Sequence, residues 1–168
     1  MKFFDRAWAS SLLTDEEVEA VIEAYQQHTE RLLPSLPPDL ARLAGELSLH
    51  DGLIRQIVID RPADSLTLKL RCGNQQTGYF DLDILYEGVV WKYLELDVLA
   101  NRARDRRTEL IDVEFHQRDD GLYEHCMRFS PSDDTCIRFK DARISVVPRD
   151  DRRIHLGFDP FLMREDLG

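Results

Sequence analysis

The segment Ser48-Leu49-His50-Asp51-Gly52 divides the chain into two parts with different hydrophobic patterns. Before it, apolar residues recur every three or four positions, which is the period of an amphipathic helix. After it, apolar and polar residues mostly alternate, which is the period of a strand. The sequence therefore predicts an α+β fold in which N-terminal helices pack on one face of an antiparallel sheet.

The helical part opens with a capping box, Thr14-Asp15-Glu16-Glu17. In such a box the Thr14 hydroxyl and the Glu17 carboxylate each satisfy a free backbone N–H group. Residues 15–33 then carry one apolar stripe, so we expect a single amphipathic helix there. A second, shorter helix is predicted to open at Pro37-Pro38-Asp39.

About six strands are predicted in residues 48–147, arranged as a meander and interrupted by one inserted helix near 94–104. Late apolar residues fall out of phase with earlier ones by one position, which predicts a bulge or break near Lys140-Asp141-Ala142. With residues 1–47 helical and 148–168 a C-terminal extension, we expect one domain over 1–168, because no linker or repeat divides the chain. The apolar residues of the extension are expected to fold back onto the body.

Alternation also predicts strand registers. In the hairpin predicted around the loop Gly73-Asn74-Gln75-Gln76-Thr77-Gly78, Leu70 faces Phe80 and Lys69 lies opposite Asp81. In a later hairpin, which turns at Asp119-Asp120-Gly121, Asp112 lies beside Arg128 and His116 beside Glu124. Asp83 and Glu114 are left without a cross-strand partner in these registers.

Composition limits the classes of function. The chain has 168 residues, of which 43% are hydrophobic and 32% charged, and a formal net charge of −10. The negative charge argues against a nucleic-acid-binding protein and suits a basic protein partner. No apolar run has the length of a membrane span, and the N-terminus lacks the apolar core of a signal peptide, so a cytoplasmic location is predicted.

The candidate binding residues lie on the polar face of the predicted sheet. Alternation directs several carboxylates and one imidazole outward on two strands that could be neighbours: Asp81, Asp83, Asp112, Glu114 and His116. Such a group could bind a basic partner or a hard cation. Cross-strand pairing with Lys69, Arg71 and Arg128 explains the same group without any ligand. We predict no metal here, because facing strands provide a looser cage than oxygen sites usually need.

The pair His50-Asp51 is a second candidate, since a carboxylate beside an imidazole could assist acid-base chemistry. The Asp51-Gly52 sequence is also typical of a turn, and we favour that interpretation. The usual catalytic motifs are absent from the sequence, so no catalytic residue is predicted.

Three cysteines are too few for a disulfide framework. Cys126 and Cys136 are predicted on adjacent strands, with His116 one strand further. Because a structural zinc site usually has four ligands, we interpret the two thiols as reduced, buried groups and predict no metal and no cofactor. The aromatic residues Phe3, Phe4 and Trp8 are expected to pack as an N-terminal plug.

Several short motifs resemble a family of small uncharacterised bacterial proteins. They are the N-terminal Met1-Lys2-Phe3-Phe4, Leu49-His50-Asp51-Gly52 opening a strand, Gly78-Tyr79-Phe80-Asp81-Leu82 and His125-Cys126-Met127-Arg128-Phe129. Similar Leu-His-Asp openings occur in immunity-type proteins that neutralise bacterial toxins. The resemblance implies no catalytic residues.

We therefore predict a non-enzymatic protein-binding module, with an immunity-like inhibitor of a basic protein or toxin as one form of it. The first alternative is an enzyme or metal-binding protein that uses the carboxylates and His116 of the polar face. The second is a self-associating structural protein, joined through its C-terminal segment or an open sheet edge.

Overall fold

The computed structural model describes residues 1–10, 12–76, 78–105, 108–131 and 133–150. The helices are α1 (Arg6–Ala9), α2 (Asp15–Leu32), α3 (Pro38–Ala41) and α4 (Leu96–Arg104), with short 3-10 or π segments at Leu33–Ser35, Arg42–Glu46 and Trp91–Tyr93. The strands are β1 (Leu53–Asp60), β2 (Ser65–Asn74), β3 (Gly78–Glu87), β4 (Leu110–Gln117), β5 (Tyr123–Phe129), β6 (Asp133–Phe139) and β7 (Asp141–Arg149). This confirms the α+β class and the helix predicted near 94–104.

Helix α2 begins where its capping box predicts. The Thr14 hydroxyl accepts from the backbone N–H of Glu17 (3.3 Å), and the Glu17 carboxylate accepts from the N–H of Thr14 (2.8 Å). The helix ends at Leu32 and is followed by the 3-10 turn Leu33–Ser35, because Pro34 cannot supply the next helical hydrogen bond.

The strands form two antiparallel sheets, and this corrects the prediction of one meander of about six strands. Sheet A has the order β1-β2-β3-β7, and sheet B has the order β4-β5-β6. The chain crosses from sheet B to sheet A at Lys140, whose N–H donates to the carbonyl of Glu87 (2.9 Å). The predicted break near this residue is thus confirmed, and it marks a change of sheet that places β7 beside β3.

The register of β2 and β3 differs from the prediction by two residues. Leu70 pairs with Leu82, and Lys69 pairs with Asp83. The prediction assumed a long loop after Gly73, whereas β2 continues through Asn74 and β3 already begins at Gly78. Since a shift of two keeps every side chain on its face, the apolar faces were predicted correctly while the pairs were not.

Both sheets and the helical segments share one hydrophobic core among the described residues. Tyr86 of sheet A and Phe139 of sheet B meet edge to face with ring centroids 4.9 Å apart. The buried Tyr86 hydroxyl shares a hydrogen bond with Nδ1 of His125 (2.7 Å). Burial lowers the pKa of His125 to about 4, so its imidazole is neutral within this core near pH 7.

The C-terminal apolar cluster that was expected to fold back, and the end of the extension that contains it, lie outside the described residues. Within the described part of the chain, no helix is long and apolar enough to cross a membrane.

Candidate functional site

The five polar-face residues predicted to bind a partner are divided between the two sheets. Asp81 and Asp83 lie on β3 in sheet A. Asp112, Glu114 and His116 lie on β4 in sheet B. Because β3 and β4 belong to different sheets, these five residues do not lie on neighbouring, hydrogen-bonded strands as predicted.

Asp81 is surrounded by three guanidinium groups. Its carboxylate accepts from Arg71 Nε at 2.5 Å and from Arg149 Nε at 2.6 Å, and Arg55 lies 3.4 Å away. Burial raises the pKa of Asp81, but the hydrogen bonds from Arg71 and Arg149 outweigh burial and leave the pKa below its ordinary value. The carboxylate therefore stays ionised and ties β1, β2, β3 and β7 together.

Asp83 has a partner, contrary to the prediction that it is free. The two-residue difference in register sets it opposite Lys69, and their charged atoms are 3.2 Å apart. Both side chains are partly exposed, so the ion pair contributes about 0 to 1 kcal/mol.

Glu114 was also predicted to be free, and this prediction is wrong. Its side chain is fully buried, and its two oxygens accept from the backbone N–H groups of Lys2, Phe3 and Phe4 at 2.6 to 2.7 Å. His116 Nε2 donates to the same carboxylate at 2.8 Å. Burial raises the pKa of Glu114, but these hydrogen bonds bring it down to about 2. Glu114 therefore anchors the N-terminal segment (residues 1–10) and is not accessible to a partner.

The N-terminal plug forms as predicted, and helix α2 provides its other wall. Phe3 and Phe4 lie against Tyr25, with ring centroids 5.4 and 5.0 Å apart, and Trp8 lies 4.9 Å from Phe4. The indole N–H of Trp8 donates to Asp112 (3.1 Å). Asp112 also pairs with Arg128, as the predicted register of this hairpin requires.

His50 and Asp51 form a turn just before β1 of sheet A, and this turn is hydrogen-bonded to residues 110 and 111 at the start of β4 in sheet B. Asp51 has a positive φ of 61°, a conformation that Asp tolerates better than most residues, and its N–H donates to the carbonyl of Leu110 (2.8 Å). His50 Nδ1 donates to the carbonyl of Ile111 (2.6 Å). These contacts support the interpretation of the pair as structural, and a role beyond the turn stays a prediction.

A cleft of about 660 Å³ lies beside the plug, between the N-terminal segment and the outer face of sheet B. It is lined by charged, imidazole and sulfur groups, which include Lys2, His28, His116, Glu124, Arg138 and the pair Cys126 and Cys136. Glu124 Oε1 accepts from Arg138 (2.5 Å) and Arg118 (3.3 Å).

The two cleft cysteines are bonded to each other, which corrects the prediction of reduced thiols. Cys126 of β5 and Cys136 of β6 are directly opposed, and their sulfurs form a disulfide. Cys72 is the free, buried cysteine. Disulfides persist chiefly in oxidising compartments, so this bond gives no support to the predicted cytoplasmic location.

Of the four sheet edges in the described part of the chain, three are protected. At β4, the Tyr25 hydroxyl accepts from the N–H of Phe115 (3.1 Å) and His28 Nε2 donates to the carbonyl of the same residue (3.1 Å). At β7, Asp39 accepts from the N–H of Ile144 (3.2 Å). At β6, the Arg138 carbonyl accepts from the N–H of Val90 (2.9 Å), so these edges are less able to pair with another strand.

The outer edge of β1 is different. Helix α4 contacts β1, yet among the described residues no backbone hydrogen bond reaches the outer edge between residues 55 and 60. Two successive apolar residues of this strand are exposed, Val58 at 43% and Ile59 at 45%. The unbroken apolar run Ile57-Val58-Ile59 was the signal in the sequence that could have identified this edge, because it departs from alternation.

Comparison with known proteins does not assign the chain to a family or a function. No family model, curated protein or solved structure matches the chain, so the resemblance to small bacterial proteins stays a prediction.

Proposed function

We propose that this protein is a non-enzymatic protein-binding module that binds an extended segment of its partner along β1. The observation that supports this proposal is the contrast between the open, apolar edge of β1 and the three protected edges. An exposed edge strand offers unpaired N–H and C=O groups, and a partner strand can satisfy them by extending the sheet.

The acidic residues have a different role in this proposal from the one predicted. Because Asp81, Asp83, Asp112 and Glu114 are engaged within the chain, they do not form the contact surface. The net charge of −10 still attracts a basic protein at long range, and a toxin of that character is the class that the sequence favours. A cytoplasmic location also stays a prediction.

Self-association is the second candidate, and the same edge supports it. Two copies of β1 could pair with each other and so protect both edges. An enzyme that uses the polar-face carboxylates has less support, because those groups hold the fold together. The two binding proposals differ in whether the chain associates when it is alone.

The test uses hydrogen exchange and a matched pair of variants. The wild-type chain is measured alone by sedimentation at increasing concentration, and then with each protein that it captures from lysate. We expect the amides of residues 55–60 to become protected in the complex. V58K should weaken the complex about tenfold or more, since a loss of about 1.4 kcal/mol has that effect and a charged edge opposes pairing.

The control is V147K, at a position with a similar exposed fraction (49%) on the protected strand β7. It should leave binding unchanged. Protection that appears elsewhere, or V58K binding as tightly as the wild type, would contradict strand addition at β1. Protection of β1 in the chain alone would favour self-association.

A further inference from the structure

Three potential ligand groups lie together on the outer face of sheet B. Glu124 and Cys126 are two residues apart on β5, so their side chains share a face, and Cys136 is directly opposite Cys126 on β6. The carboxylate and sulfur atoms of these three residues all lie within 4.8 Å of one another. All three line the cleft, which opens to solvent and gives small ions access to them.

We propose that Glu124, Cys126 and Cys136 form a zinc site when the disulfide between the two cysteines is reduced. The proposed zinc site does not rest on the proposed function. It lies in sheet B, whereas the proposed partner binds β1 of sheet A, and its ligand is a metal ion. In the oxidised chain each sulfur is bonded to the other, so neither is available as a thiolate.

The chemistry requires a reductant, and a dithiol is the appropriate class. The dithiol transfers two electrons and two protons to the protein: the S–S bond of the protein breaks, two S–H groups form, and the dithiol becomes a disulfide. Zinc binding then displaces the two thiol protons, which pass to water, and two Zn–S bonds form. The Glu124 carboxylate adds an oxygen ligand with no further loss of a proton.

The donor set suits zinc. Thiolate and carboxylate are both common zinc ligands, and three protein ligands with water in the fourth position make an open tetrahedral site. Both arginines that bind Glu124 use its Oε1 atom. Its Oε2 atom accepts no hydrogen bond from the described residues, so this oxygen is available to a metal.

The nearby arginines also favour the thiolate form of the cysteines, which zinc requires. Arg138 and Arg118 line the same cleft as the sulfurs and bind the neighbouring Glu124, and guanidinium groups stabilise nearby thiolates. Two thiolates, one carboxylate and a zinc ion sum to a charge of about −1, and the two arginines bring the metal-bound site to about +1, the same total as in the oxidised chain. Zinc binding with loss of both thiol protons therefore leaves the total charge of the site unchanged.

The experiment compares the full chain before and after reduction by a water-soluble trialkylphosphine, which takes up oxygen from water as it reduces the disulfide. Zinc is added and the excess removed, and the bound metal is measured by elemental analysis. We expect one zinc per reduced chain and none per oxidised chain. Cobalt substituted for zinc should show a thiolate-to-metal charge-transfer band in the near ultraviolet.

Three variants assign the ligands. C136S should lose the metal and the cobalt band, and E124Q should bind zinc more weakly. C72S is the matched control, because Cys72 is buried away from the cleft and its removal should leave one zinc bound. Zinc that survives in C136S, or a reduced wild-type chain that binds none, would overturn the proposal.

Folding is followed in the same samples by circular dichroism. If reduction unfolds the chain, zinc should restore the fold of the wild type and not that of C136S. A reduced chain that stays unfolded with zinc would also overturn the proposal.

Discussion

The clearest energetic prediction concerns Glu114, whose carboxylate holds the N-terminal segment. In E114Q the side chain keeps its size but loses its charge and one of its acceptor oxygens. Oε1 accepts from Phe3 and Phe4, and Oε2 accepts from Lys2 and His116. If the new NH₂ group replaces Oε1, the bonds from Phe3 and Phe4 are lost. If it replaces Oε2, the bond from Lys2 is lost, while His116 Nε2 can accept from the amide by changing tautomer.

The magnitude follows from the pKa of Glu114, which lies at about 2 in the folded chain and has an ordinary value of 4.5. This difference corresponds to about 3 kcal/mol of stability. Because the folded pKa is the lower one, the contribution is present above pH 4.5 and disappears as the pH falls towards 2. We therefore expect E114Q to lower the free energy of unfolding by about 3 kcal/mol at pH 7.

Urea denaturation between pH 2 and 7 measures this contribution, and amide exchange at Phe3 and Phe4 reports on the plug. D83N is the control, since its ion pair with Lys69 is exposed and should be worth no more than about 1 kcal/mol. If E114Q unfolds within about 0.5 kcal/mol of the wild type at pH 7, the assignment of Glu114 as the anchor is wrong.

Two further predictions test the core and the hairpin formed by β2 and β3. The folded pKa of His125 is lowered by burial from 6.5 to about 4, so the unfolded chain takes up this proton first. The contribution of neutral His125 to the free energy of unfolding should be complete above pH 6.5 and should fall by about 3 kcal/mol towards pH 4. An NMR titration that finds the imidazole protonating near pH 6.5 in the folded chain would contradict this. G73A should lower the thermal stability more than G121A. Both glycines have positive φ, and an alanine in that conformation costs about 1 to 2 kcal/mol. A Cβ at Gly73 would in addition lie 2.1 Å from the carbonyl oxygen of Gly78, whereas a Cβ at Gly121 would meet no atom within 4 Å. Equal losses would show that the hairpin adjusts at no cost.

Local signals predicted the local structure. The capping box located the start of α2, and period-two alternation identified which residues of β2 and β3 face the core. The out-of-phase residues after Phe139 located the break at Lys140. In each of these cases the signal comes from residues that are close together in the sequence.

The rest of the structure depends on partners that are distant in the sequence. Alternation cannot distinguish registers that differ by two residues, and this ambiguity produced the wrong partner for Asp83. The burial of Glu114 depends on backbone groups more than 100 residues away, which no local pattern encodes. The cysteines were placed on adjacent strands, but a disulfide requires that they be directly opposed, and this depends on the register of the sheet.

The crossing at Lys140 has a consequence for synthesis of the chain. Strands β1, β2 and β3 are joined by short turns and can pair as soon as they leave the ribosome, whereas β7 follows β3 by more than 50 residues. Until residues 141–149 emerge, β3 is an edge strand, and its backbone is open to other nascent chains. Translation arrested before residue 141 should therefore yield an aggregation-prone intermediate. Pairing of β7 with β3 removes this exposed edge once the strand has been synthesised.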